Sequence, residues 1–426
     1  MTTATHQGLS PGRAALSNGA VVIAKHSPAT PAVTIHASVR AGSEFDPTGQ
    51  PGVAHFVSRT IDRGTSTRPA DRIAEELDDR GVSLSVTINR HAMWLVCTCL
   101  VEDLESILTL LADIIVHPIF PPQEVETKRG EITTLIRQDE DNPATMAAEG
   151  LLADLYGPSH AYGRRPRGAI ENVDTIDRAA LRAFHAQRFR PTSLSLVLVG
   201  DIETARAIDA AAHAFGGWSG APPLPSILQE PAPRSNRSVR VIPMMSKAQA
   251  DIAYGFTSLR RSDPAYYACW LMNNILGQYA IGGRLGDRIR EREGMAYYAL
   301  SALDANVIAG PLTIRAGVSP ENVDRAIAAI DEELEKFAHD GPTDREMAES
   351  RQYLIGSMPR TLETNLGIAT YLQTEEFFGL GLDYDLRVPD LLHAVTRDEV
   401  VAAAQQTLVP SRATVVVAGP YAGQAR

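Results

Sequence analysis

The chain of 426 residues is written twice. Near its middle, ALRAFHAQRFRPTSLSLVLVGDIE (180–203) runs from an amphipathic helix through Pro191 into an apolar strand ending at Gly200. At its end, EVVAAAQQTLVPSRATVVVAGPYA (399–422) has the same plan. Pro191 matches Pro410 and Gly200 matches Gly419, both 219 apart (410 − 191, 419 − 200). A strand-then-helix block, AMWLVCTCLVEDLESILTLLADI (92–114), returns 218 later (310 − 92) as GPLTIRAGVSPENVDRAIAAIDE (310–332). Near the start of each half stands a further matching strand, AVTIHASVRAGS and ADIAYGFTSLRR. A near-constant offset over separated blocks is the mark of duplication, here carried by order and spacing more than by identity.

Between the copies, GGWSGAPPLPSILQEPAPRSNRS (216–238) is rich in Pro, Gly and Ser and has no sustained period, which predicts an extended linker. The expected division is therefore 1–215, a linker over 216–238, and 239–426. Helices are expected to begin near Pro69, Glu102, Pro122 and Asp177. Strands mixed with runs of helices predict an α+β fold in each half, one sheet with helices packed on one face.

Composition narrows the function classes. The net charge of −11, with no block of like charges, argues against a nucleic-acid or anionic-membrane partner. No run approaches the ~20 apolar residues of a membrane helix, and the N-terminal stretch lacks a signal-peptide core. The expectation is a cytoplasmic protein. Three cysteines are too few for a disulfide framework, and Cys97 and Cys99 read as small buried hydrophobes on one strand face.

The chemistry-bearing residues lie in two stretches. In GVAHFVSRTIDRGT (52–65), His55 falls on a helix. Three and four residues on, where a zinc peptidase places a carboxylate and a second histidine, stand Ser58 and Arg59. In RIREREGMAYYAL, Arg290 is followed four residues later by Gly294 and seven later by Tyr297. The stretch LGDRIREREG reads as a helix ended by a C′ glycine, and MAYYALSAL as a strand turning back. The Gly-rich GQYAIGGRLGD (277–287) has no Lys-Ser/Thr after its glycines, so it is no phosphate loop. It reads as a flexible turn or a close backbone approach. No G-x-S-x-G elbow is present. His117, His160 and His185 read as structural or exposed.

These residues resemble the pitrilysin/insulinase-type metallopeptidases, the inverzincins, and within them the smaller-subunit branch with the mitochondrial processing peptidases and bacterial relatives. The likeness runs through FPPQEVETKRGEITTLIRQDEDNPATMA and resumes at GGRLGDRIREREGMAYYALSAL. It implies two homologous domains, each a mostly antiparallel sheet with helices on one face. It also implies an H-x-x-E-H site, whose two histidines bind zinc from one helix face and whose glutamate serves as general base. Here His55 matches the first histidine, Ser58 the base and Arg59 the second histidine. The later acidic pair falls on Thr134 and Leu135. Serine has no accessible conjugate base near neutral pH, and arginine repels a metal cation. Glu131, one turn before Thr134, could replace at most one ligand. No metal is expected on this chain.

The resemblance implies instead that Arg290 and Tyr297 bind the substrate and its oxyanion in a partner's site. The chain then resembles the non-zinc subunit of a heterodimeric peptidase. Its partner would be a homologous zinc-bearing chain with an intact H-x-x-E-H, and its substrate a peptide. Processing of the precursor peptide of pyrroloquinoline quinone is one such setting. A purely structural family member and an autonomous peptidase with an altered metal site are the alternatives.

Overall fold

A computed structural model describes residues 8–423. Its two sheets carry the duplication strand for strand. The first consists of β1 (Gly12–Ala15), β2 (Val21–His26), β3 (Ala32–Val39), β4 (Ser85–Ile88), β5 (Met93–Leu100) and β6 (Leu194–Gly200). The second consists of β7 (Ser238–Pro243), β8 (Ala250–Thr257), β9 (Ala296–Leu303), β10 (Pro311–Val318) and β11 (Thr414–Gly419). Their orders are β1-β2-β6-β3-β5-β4 and β7-β11-β8-β10-β9. Without β1 the two orders superpose, β2 with β7 through to β4 with β9. Even the parallel step is repeated, β2 on β6 and β7 on β11, while the other pairs are antiparallel.

The helices of the first half are α1 (Val53–Thr60), α2 (Ala70–Asp78), α3 (Leu104–Val116), α4 (Pro122–Glu140), α5 (Pro143–Tyr156), α6 (Ile170–Thr175), α7 (Arg178–Arg188) and α8 (Thr204–Phe215). In the second half they are α9 (Tyr266–Gly277), α10 (Gly283–Leu285), α11 (Val323–Asp340), α12 (Asp344–Thr361), α13 (Asn365–Phe378), α14 (Tyr384–Ala394) and α15 (Arg397–Thr407). The expected starts are close: Pro69 and Asp177 flank α2 and α7, Pro122 opens α4, and a short 3₁₀ turn from Val101 leads into α3. Between Phe215 and Ser238 there is neither helix nor strand.

On β5 the burial alternates, with Met93, Leu95, Cys97 and Cys99 on the inner face, so both cysteines pack as hydrophobes. Burial pushes both thiols up to about 12, far from reactive thiolates.

The compact units do not follow the two sequence halves. One unit is 1–136, 165–227 and 358–386; the other is 137–164, 228–357 and 387–426. Each takes a helix from the opposite half. Helix α13 packs Ile368, Ala369 and Leu372 on Ile23, Val197 and Val199 of the first sheet. Helix α5 packs Ala147, Leu151 and Leu155 on Ala253, Val416 and Ala418 of the second. The two helices start 222 apart (365 − 143), so equivalent elements are exchanged. No helix among the described residues is long and apolar enough to cross a membrane.

Candidate functional site

Helix α1 starts at Gly52, whose φ of +101° suits glycine. The Asp46 carboxylate caps it from outside, accepting from the Gly52 and Ala54 amides at 2.8 and 2.7 Å. Most of the helix is buried, and His55 and Arg59 form its less buried stripe, one turn apart. The His55 Nε2 is buried without a hydrogen-bond partner among the described residues. Burial first, then the nearby Arg167 and Arg59 guanidiniums, lower its pKa to about 4, so the ring is neutral at pH 7.

The donors a zinc ion needs are not assembled around this ring. The Ser58 hydroxyl is buried and donates to the His55 carbonyl at 2.6 Å, spending its proton within its own helix. Arg59 Nη2 donates to Glu131 Oε2 at 3.3 Å, and Lys128 Nζ donates to the same carboxylate at 2.7 and 2.9 Å. The Lys128 hydrogen bond, aided by Arg59 and opposed by burial, holds the Glu131 carboxyl below its ordinary range. Glu131 therefore reaches the second-histidine position but is neutralised there by two cations. Thr134 is exposed and donates to the Gly130 carbonyl at 2.9 Å, and Leu135 has no side-chain donor atom. One imidazole among guanidiniums does not fit a divalent metal. Among the described residues no cluster of three His, Cys, Asp or Glu side chains could hold one.

The second stretch is built differently. Residues Gly286–Arg292 form a π-helix, where the sequence suggested an ordinary helical end. Such wide turns are rare and concentrate at functional sites. Here it is closed by Glu293 N–H to the Arg288 carbonyl and Met295 N–H to the Ile289 carbonyl, at 3.1 and 3.0 Å. Gly294 follows at φ +61°, and β9 begins two residues later.

The Gly-rich stretch before it is a close-approach device. A Cβ at Gly282 would lie 2.4 Å from the Ala299 carbonyl oxygen, and one at Gly286 2.0 Å from that of Ile281. A Cβ at Gly277 would meet the Ser301 amide at 2.3 Å. Bare backbone thus lets this loop lie against β9 and the π-helix.

Four arginines lie on this segment, and three are tied down. Arg284 and Arg288 pair with glutamates of α11 and α12, and Arg292 with Asp287. Arg290 is exposed, and among the described residues it has an ion pair only with its chain neighbour Glu291, at 3.5 Å. Tyr297 is 71 % exposed at the start of β9, at the extra residue where the pairing with β10 shifts register between Gly317 and Val318. A guanidinium and a large aromatic thus stand exposed at the two ends of one tight turn. Their positions were readable from the family pattern. The arginine clamp behind them was not, because Arg284 and Glu346 are far apart in sequence.

The family model described as Insulinase (Peptidase family M16) matches residues 21–163, and the one described as Peptidase M16 inactive domain matches 175–354. An uncharacterized zinc protease of Mycobacterium leprae is 28% identical over 424 residues, covering 97% of this chain and 92% of that protein. An uncharacterized zinc protease of Bacillus subtilis is 25% identical, covering 94% and 96%. Among solved structures, the peptidase M16 inactive domain from Pseudomonas fluorescens has a TM-score of 0.90 at 24% identity, covering 98% of this chain and 99% of that one. The periplasmic protease PqqL from Escherichia coli has a TM-score of 0.80 at 16% identity, covering 96% of this chain but 47% of its own. With two models of one family in order along the chain, relatives aligned nearly end to end and the same fold, the chain belongs to the insulinase-type peptidase family M16.

Proposed function

We propose that this chain is the non-zinc member of a paired metallopeptidase. It would face a homologous chain with an intact H-x-x-E-H, close a chamber with it, and act on peptides. The observation that carries this reading is the contrast between the two stretches: Ser58, Arg59, Thr134 and Leu135 offer no metal chemistry, while Arg290 and Tyr297 stand open and uncommitted. That this chain spans about half of PqqL supports a working unit of two such chains.

In the pair, a zinc ion held by the partner would supply an activated water. This chain's part is electrostatic. The Arg290 guanidinium and the Tyr297 hydroxyl donate to the scissile carbonyl oxygen as negative charge develops on it, which favours the tetrahedral state over the ground state. The guanidinium also orients the peptide before attack. The precursor peptide of pyrroloquinoline quinone is one substrate to test, and the cytoplasm is the compartment we expect.

The experiment is co-purification from the native host, with fractionation, followed by cleavage of internally quenched peptides. The expected result is a zinc-bearing H-x-x-E-H chain bound to this one, with kcat lowered about 10²-fold by Arg290→Ala or Tyr297→Phe. A homodimer alone, or unchanged turnover in both variants, overturns the reading.

A further inference from the structure

The open pair sits on the least conventional backbone of its unit, so something must hold that backbone still. An isolated π-turn is a poor support for a side chain that has to be placed within a fraction of an ångström. The holding contacts converge on Arg284, two residues before the π-helix. Its Nε and Nη2 donate to Glu346 at 2.6 and 2.7 Å, a bidentate pair that fixes the plane as well as the position of the guanidinium. Nη2 also donates to the Gly341 carbonyl at 3.0 Å, and the guanidinium lies 4.6 Å from the ring centre of buried Phe337.

One side chain therefore ties the segment to α11, to the α11–α12 turn and to α12. Glu346 is secured in turn by the Thr343 amide and hydroxyl at 2.7 and 2.8 Å. Burial raises its pKa, but Arg284 and Thr343 outweigh burial and bring it to about 2, so the pair stays charged at any working pH. One turn further on, Arg288 pairs with Glu332 and lies 3.8 Å from Glu333, which Arg284 approaches to 3.7 Å. The clamp faces a polar cavity of about 1050 Å³.

We propose that Arg284 is a positioning residue, clamped by Glu346 so that the π-helix and the start of β9 present Arg290 and Tyr297 in one fixed orientation. The catalytic part of this inference rests on the function proposed above; the mechanical part does not. The test therefore has two arms, using Glu346→Gln, which keeps the shape and loses the charge, and Arg284→Lys, which keeps the charge and loses the bidentate fork.

In the first arm, hydrogen exchange on the full chain should quicken at the amides of residues 286–297 and stay unchanged in the first sheet. Unchanged exchange at 286–297, or equal quickening throughout, overturns the proposal. In the second arm, on the co-purified complex with quenched peptides, kcat should fall about 10-fold to 10²-fold while KM stays within about twofold. In an Arg290→Ala, Tyr297→Phe background Glu346→Gln should cost nothing further, because the clamp acts through those two side chains. An equal loss in both backgrounds overturns the positioning role. If Arg290→Ala and Tyr297→Phe both leave kcat unchanged, the functional reading fails while the exchange arm still judges the clamp. Should Arg284→Lys not fold, Glu346→Gln carries both arms.

Discussion

Three histidines are kept neutral by burial at the residue scale. His36, on the central strand β3, His55 on α1 and His185 on α7 each have their pKa lowered to about 4, with burial as the largest cause. At His55, Arg167 and Arg59 add repulsion; at His185, a hydrogen bond to the Ile115 carbonyl opposes the shift. The unfolded chain binds protons at these sites from about pH 6.5 downward, whereas the folded chain resists until about 4. Stability is therefore expected to fall as pH drops through that window, and to level off below it. Each ring accounts for about 3 kcal/mol across the window at full effect. Urea titrations at pH 7.5 and 5 should show the decline, and His55→Gln should remove about a third of the slope. An equal slope in the variant would show that His55 is not buried neutral. That His55 keeps its place on α1 while Ser58 and Arg59 stand at the base and second-histidine positions was readable in the sequence. Its isolation was not, because Arg167 comes from a distant loop.

Elements show the same division between what is local and what is not. The starts of α2, α4 and α7, and the strands β3, β5, β6, β8, β10 and β11, followed from short-range signals: Pro and Asp at helix starts, period-2 apolar runs, and Pro before a strand. The π-helix did not, since GDRIRER carries no local mark that separates a wide turn from an ordinary one. Around it the backbone runs close to its neighbours, with the Ala299 carbonyl against Gly282 and the Ile281 carbonyl against Gly286. Gly282→Ala meets both a carbonyl at 2.4 Å and a φ of +93°, so it should cost about 1–3 kcal/mol in a denaturant melt. Gly294→Asn, with open space around it and a φ of +61° that asparagine tolerates, should cost well below that. Equal costs at the two positions would remove the close-approach account of the Gly-rich stretch.

For the whole molecule, the duplication was the most legible feature and the exchange of helices the least. The 218 and 219 offsets pick out β5/β10 and β6/β11, which hold equivalent places in the two sheets. Nothing in the sequence says that α5 and α13 trade sheets, because apolar residues on a helix do not name the surface they cover. Cutting the chain in the linker should therefore not yield two independent domains. Fragments 1–215 and 239–426, expressed singly, should be poorly folded, since each lacks the helix that covers one face of its sheet. Co-expressed, they should recover a cooperative melt. A fragment that melts cooperatively on its own would show that its sheet needs no borrowed helix.

The exchange also sets a clock for synthesis. The first sheet is complete in sequence once Gly200 has emerged from the ribosome, but the residues of α13 that cover Ile23, Val197 and Val199 follow only at 365–378. At 5–20 residues per second that apolar face waits about 10–35 s for its cover. For that interval the nascent chain presents a surface suited to a chaperone or to another unfinished copy of itself.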